Sequence, residues 1–221
     1  ERQRVSIARS LLQQPRILLM DEPLASLDEK RKREILPYLE RVSKQFVIPI
    51  LYVSHSVEEI ARLADYVLVF KQGRIVEEGS PNSVFAKENP FIGLSDEVGV
   101  VLDGVISAWD EIWELSTVST DCGDLLIPKA GTVVGTTIRV RILAKDVSLM
   151  ETPESKSSIL NQLSADVLEL SRDQNTAMSL VNLRVKSAHL VARISRKSID
   201  QLKIAPGKSL WVQIKAAAVL N

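Results

Sequence analysis

The chain has one cysteine, Cys122, so no internal disulfide is available to it. That usage fits a reducing compartment, and no His or Asp pattern around Cys122 marks a nucleophile. No run approaches the ~20 consecutive apolar residues that a membrane-crossing helix needs. Charge of one sign is not in excess, with 28 Lys and Arg against 28 Asp and Glu. Nothing in that balance suggests nucleic acid or an anionic bilayer as a partner. The one basic run, Lys30-Arg31-Lys32-Arg33, is flanked by Glu29 and Glu34 and reads as a solvated helix face. No Gly-x-x-x-x-Gly-Lys-[Ser/Thr] stretch occurs anywhere, so the sequence carries no loop of backbone N–H groups to cradle nucleotide phosphates.

What is present is ordinary globular material. The 221 residues are 45% hydrophobic and 25% charged, enough for one large domain or two modest ones. Residues 1–14 read as a helix with Val5, Ala8, Leu11 and Leu12 on one face, ended by Pro15. Residues 16–21 lack polar alternation and read as a parallel strand covered on both faces. Asp28 is placed to cap a helix from Glu29 to about Gln45, with Pro37 inside it. A strand over 49–53, a helix over 56–64, a hairpin around Gln72-Gly73 and a short helix after Ser80 follow, the last broken by Asn89-Pro90. This alternation predicts an α/β layer with a parallel sheet over residues 1–95. From about residue 97 the pattern changes to short β runs, including 98–106, 112–118, 136–143, 166–170, 176–185, 188–194 and 209–214. Such a series predicts an all-β barrel or sandwich, with a helix over 198–203. A joint at Thr152 to Lys156 divides it into a connecting subdomain, 96–152, and a last domain, 153–221.

The chemistry-bearing residues sit at strand ends. Arg16-Ile17-Leu18-Leu19-Met20-Asp21-Glu22-Pro23 delivers two adjacent carboxylates from a buried strand. Ser26-Leu27-Asp28 follows, and Ser54-His55 closes the second strand. An ATP-hydrolysing site needs one carboxylate for Mg²⁺, a second to polarise water and a donor near the γ-phosphate. Histidine suits that last role. Each residue also has a plain reading: Asp21 as a strand-end acid, His55 as a loop histidine, Asp28 as a helix cap.

Taken in order, Glu1-Arg2-Gln3-Arg4-Val5, Asp21-Glu22-Pro23, Ser26-Leu27-Asp28 and Ser54-His55 resemble the C-terminal half of an ABC transporter ATPase. The resemblance makes Glu1 the last residue of that family's signature motif. It implies ATP and Mg²⁺ as cofactors, Asp21 ordering the Mg²⁺ through water and Glu22 as the water-polarising base. His55 would contact the γ-phosphate, and Asp28 would lie at the interface of a homodimer. It further implies membrane permease subunits as partners, a periplasmic or extracellular substrate-binding protein indirectly, and a peripheral location on the cytoplasmic face of the inner membrane. Nucleic acid is not among the expected partners. Because the phosphate loop is missing, the expectation is a piece beginning inside the ATPase domain, one that neither binds ATP tightly nor hydrolyses it alone.

A second resemblance covers the C-terminal part. Ser157-Ser158-Ile159-Leu160-Asn161-Gln162-Leu163 and Ile214-Lys215-Ala216 resemble the start and end of a Mop domain, a small OB-like barrel. Val140 to Leu149 is similar to the segment before it in molybdate-importer ATPases. The resemblance implies a regulatory molybdate or tungstate ligand, held by Ser157, Ser158, Asn161 and Lys215. From below, a tetrahedral dianion calls for hydroxyls, backbone N–H groups and a cation. The sequence departs from the family at Leu160, often Arg, and at Ala217, often Ser. Ser157-Ser158 also reads as a turn cap, Lys215 as an exposed strand lysine and His189 as structural. The expected function is thus the ATPase of a molybdate importer with an anion sensor. An ATPase for sulfate, iron or sugar uptake, or a non-catalytic oxyanion-binding module, are the alternatives.

Overall fold

A computed structural model describes residues 2–25, 27–45, 48–85, 98–128, 133–173 and 175–220. Glu1, Ser26, Asn89-Pro90 and the boundary near residue 95 lie outside the described residues. The chain forms two compact units, dividing between Val67 and Leu68.

The first unit starts with α1 (Arg2–Leu12), β1 (Leu18–Asp21), α2 (Glu29–Gln45), β2 (Ile50–Val53) and α3 (Val57–Leu63). β1 and β2 pair in parallel, Leu18 opposite Ile50 through Asp21 opposite Val53. Leu18 and Met20 are packed with Ile7 and Leu11 of α1 and with Ile35, Leu36, Leu39 and Val42 of α2. Two expectations are corrected here. The apolar face of α1 is Ile7 and Leu11, four residues apart on one side, whereas Val5 and Leu12 are exposed. β1 is covered on one face only, since Leu19 is 65% exposed.

The second unit opens with the hairpin of β3 (Val67–Lys71) and β4 (Arg74–Gly79), whose first residue, Val67, is counted with the first unit. α4 (Pro81–Phe85) follows, then β5 (Gly99–Asp110), β6 (Leu115–Thr120), β7 (Gly123–Pro128), β8 (Thr137–Leu143) and a 3-10 turn (Ala144–Asp146). β9 (Val147–Met150), β10 (Asn161–Arg172), β11 (Met178–Val185), β12 (Ala188–Ser195), α5 (Arg196–Gln201), β13 (Ser209–Ile214) and β14 (Ala218–Val219) complete it. Ile112, expected in a strand, lies instead in a turn. Asp110 Oδ1 accepts from the N–H groups of Ile112 and Trp113 at 2.9 and 3.1 Å and holds the chain out of the ladder.

Two five-stranded antiparallel sheets have the orders β14-β8-β5-β6-β7 and β12-β11-β10-β13-β9. The orders correspond strand for strand. Each sheet is a long first strand between its own second and last strands, and each takes its fifth strand from the chain that follows the other sheet's last strand. β9 pairs with β13 and β14 pairs with β8, so the sheets exchange edges. One core joins them, with Val100, Ile106, Val118, Leu125, Val140 and Ile142 from one sheet and Val167, Leu180, Leu190, Val212 and Ile214 from the other. The protein is therefore mostly β. The parallel α/β layer expected up to residue 95 appears among the described residues only as the β1–β2 pair.

Candidate functional site

The two parallel strands end side by side, and their ends carry the candidate site. Asp21, the last residue of β1, is exposed and lies opposite Val53. Glu22 continues the ladder by one step, its N–H donating to Val53 O at 2.9 Å. Its backbone then turns through a left-handed φ of 44°, a conformation that side chains other than glycine enter rarely. The turn brings Glu22 Oε1 within 2.8 Å of His55 Nδ1, across 33 residues of sequence. The His55 side chain is 79% exposed and that of Glu22 35%. A carboxylate and an imidazole at this distance form a hydrogen bond with the ring neutral and an ion pair with the ring protonated.

Asp28 stands where the helix-cap reading puts it. Its Oδ1 accepts from Arg31 N–H at 2.8 Å, and its carbonyl accepts from Lys32 N–H at 2.9 Å. Its contact with the Arg31 guanidinium, 3.6 Å between two exposed side chains, contributes little to stability.

A group that the sequence reading passed over lies beneath His55. The Glu59 side chain, 4% exposed, accepts from Tyr52 Oη and Ser54 Oγ at 2.8 Å each, and Lys32 Nζ is 3.2 Å from its other oxygen. Burial first, then the bond to Glu59, pushes the Tyr52 phenol well above its ordinary pKa. Ser56 caps α3, accepting from Glu59 N–H at 3.4 Å, and its own N–H donates to Ser54 Oγ at 3.1 Å. The signal was present as Ser56-x-x-Glu59, a capping box. The glutamate side chain does not close that box and instead accepts from the strand. Arg62 and Glu40, 3.3 Å apart, tie α3 to α2 beside it.

The oxyanion candidates are spread along one end of the β10–β13 ladder, where Asn161 pairs with Ile214, the residue before Lys215. Both polar atoms of the Asn161 amide are engaged: Oδ1 accepts from Leu126 N–H at 2.7 Å and Nδ2 donates to Leu126 O at 2.9 Å. Ser157 Oγ accepts from Ile159 N–H at 3.1 Å and from Gln213 Nε2 at 3.2 Å. Ser158 and Lys215 are exposed, and Lys215 N–H donates to Asp146 O at 2.8 Å. Asn161 and Ser157 thus spend their polar groups on the fold, whereas Ser158 Oγ and Lys215 Nζ have no partner among the described residues.

Comparison with known proteins agrees with both halves. Residues 157–220 match the TOBE domain family. The molybdenum import ATP-binding protein ModC of Saccharophagus degradans is 47% identical over 223 residues, covering all of this chain and 62% of its own length. That of Thiobacillus denitrificans is 48% identical over 221 residues, covering all of this chain and 61% of its own. Along its full length the chain is similar to these two molybdenum import ATP-binding proteins. It spans 61 to 62% of the length of these relatives. Among solved structures, the cytoplasmic molybdate-binding protein ModG aligns with 54% of the chain and 93% of its own at 19% identity and a TM-score of 0.47, too distant to bear on the site.

Proposed function

We propose that this chain is the carboxylate-bearing part of the ATP-hydrolysing subunit of an ABC importer for molybdate, followed by an oxyanion-sensing domain. The observation that carries the reading is the 2.8 Å pairing of Glu22 with His55 at the exposed ends of two parallel strands. The residue types fit an ATP–Mg²⁺ group, because an exposed carboxylate, a second carboxylate and an imidazole converge on one sheet end. Bound ATP and Mg²⁺ supply the phosphoryl group and the neutralising charge. Asp21 would help to hold the metal. Glu22 would align the attacking water and take up its proton, and His55, bonded to Glu22, would present its other ring nitrogen to the γ-phosphate. Asp28, fixed at the start of α2, serves the contact with a second copy of the subunit. Glu1, the last residue of the signature motif in this reading, would stand near the partner's nucleotide. Permease subunits, and through them an external molybdate-binding protein, are the further partners. The subunit sits peripherally at the cytoplasmic face of the inner membrane. Among the described residues no helix is long and apolar enough to cross a membrane.

In the sensing domain, a molybdate or tungstate dianion is held by Ser158 Oγ, Lys215 Nζ and backbone N–H groups, with Asn161 and Ser157 framing the site. The TOBE match over 157–220 supports this reading.

The test of the catalytic reading is a chimera in which this chain replaces the matching 62% of the Saccharophagus degradans relative. The chimera hydrolyses ATP, and Glu22→Gln lowers the rate by at least ~100-fold, in line with removal of a general base, while ATP still binds. A Glu22→Gln chimera as active as its parent overturns the assignment.

A further inference from the structure

His55 is 79% exposed, so no packing around its ring fixes where it points. Apart from its bond to Glu22, its position is set by the backbone on either side, residues 54–56, and both neighbours are tied to one buried group. Ser54 Oγ donates to Glu59 Oε2 at 2.8 Å and accepts from Ser56 N–H at 3.1 Å, so one hydroxyl braces the turn from both ends. Glu59 is itself held from two other directions, by Tyr52 Oη of β2 at 2.8 Å and by Lys32 Nζ of α2 at 3.2 Å. With its side chain 4% exposed, the carboxylate sits where polar interactions are strong and directional. Lys32 also receives the start of α2, its N–H donating to Asp28 O at 2.9 Å.

We propose that Glu59 is a positioning residue, which acts through Ser54 to hold the His55 turn against Glu22. The proposal rests on the catalytic reading only for what His55 then does. The placement of the ring is a property of this chain without nucleotide, and it is tested there. A buried acid that served α3 alone would need only a partner for its charge, which Lys32 supplies. The additional bond to Ser54, and the one from Ser56 N–H to the same hydroxyl, have no part in neutralising that charge.

The experiment uses this chain, isotopically labelled, in three variants. Ser54→Ala cuts the relay, Glu59→Ala removes its base, and Tyr52→Phe removes a donor from the same carboxylate without touching residues 54–56. Amide exchange at Ser56 and ¹⁵N relaxation of the His55 ring are measured by NMR. Ser54→Ala and Glu59→Ala speed Ser56 exchange about tenfold, the factor expected for one lost hydrogen bond, and both loosen the ring. Tyr52→Phe changes neither readout. Equal loosening of His55 by Tyr52→Phe overturns the proposal, because the turn would then respond to any loss at Glu59. An ordered ring in Ser54→Ala overturns it as well. If Glu59→Ala unfolds the first unit, Ser54→Ala and Tyr52→Phe decide the matter alone. Neither readout involves ATP, so an inactive chimera would refute the catalytic reading and leave this one standing.

Discussion

Asp21 and Glu22 are adjacent in sequence yet differently placed, because the chain leaves the ladder at Glu22. Asp21 still has its place in the ladder opposite Val53, while Glu22 leaves it at a φ of 44° and reaches His55. The strand ends were legible in the sequence, since apolar runs ending in acids and in Ser-His mark them, but the turn at Glu22 and its contact with His55 were not. Nor was Glu59. An acid in the first turn of an amphipathic helix reads as solvent-facing, and only the return of β2 beside α3 brings Tyr52 and Ser54 over it. Asp28 offers the simplest check at this scale. Asp28→Ala removes the acceptor of Arg31 N–H and costs about 1 kcal/mol, typical of a lost N-cap. Denaturant unfolding followed by a probe in the first unit measures it, and an unchanged midpoint would mean that the cap contributes nothing.

At the level of elements, periodicity located the helices and strands but not their partners. The face of α1 was misassigned at Val5 and Leu12 because they are as apolar as Ile7 and Leu11, and only packing against β1 and α2 selects between them. β10 was read as starting at residue 166, whereas it starts at Asn161, because Asn161 and Gln162 lack strand propensity. Its first residue is held in the ladder by a contact that no pattern announces, the two bonds of its amide to the Leu126 backbone in β7. Those bonds link the two sheets. Asn161→Ala leaves Leu126 N–H and C=O without these partners and destabilises the second unit by about 1–3 kcal/mol. Asn161→Asp costs more than Asn161→Ala, because a carboxylate keeps the acceptor but faces Leu126 O where a donor stood. Thermal unfolding of the two variants gives the order, and a reversed order would contradict the bidentate contact.

For the whole molecule, the exchange of β9 and β14 between the sheets sets what can fold by itself. The TOBE match begins at residue 157, after β9, yet β9 supplies the outer edge of the sheet that the match describes. Residues 157–220 alone expose the free edge of β13 and part of a core shared with the other sheet. A chain of residues 98–220 is therefore folded and cooperative, whereas 157–220 is unfolded or associates. Circular dichroism and sedimentation of the two pieces check this, and a monomeric, folded 157–220 would refute it. The sequence hid the exchange because β9 and β14 each pair with strands on the far side of the expected joint at Thr152 to Lys156, and strand pattern alone does not name a partner. What makes the proposed function specific to molybdate lies in this unit, since the Glu22–His55 pair would serve any importer. The most direct measurement is calorimetric titration of the chain with molybdate, with sulfate as the control. The expected result is saturable molybdate binding that excess sulfate does not displace and that Lys215→Ala abolishes. No binding to the folded chain, or equal binding of sulfate, would contradict a molybdate sensor.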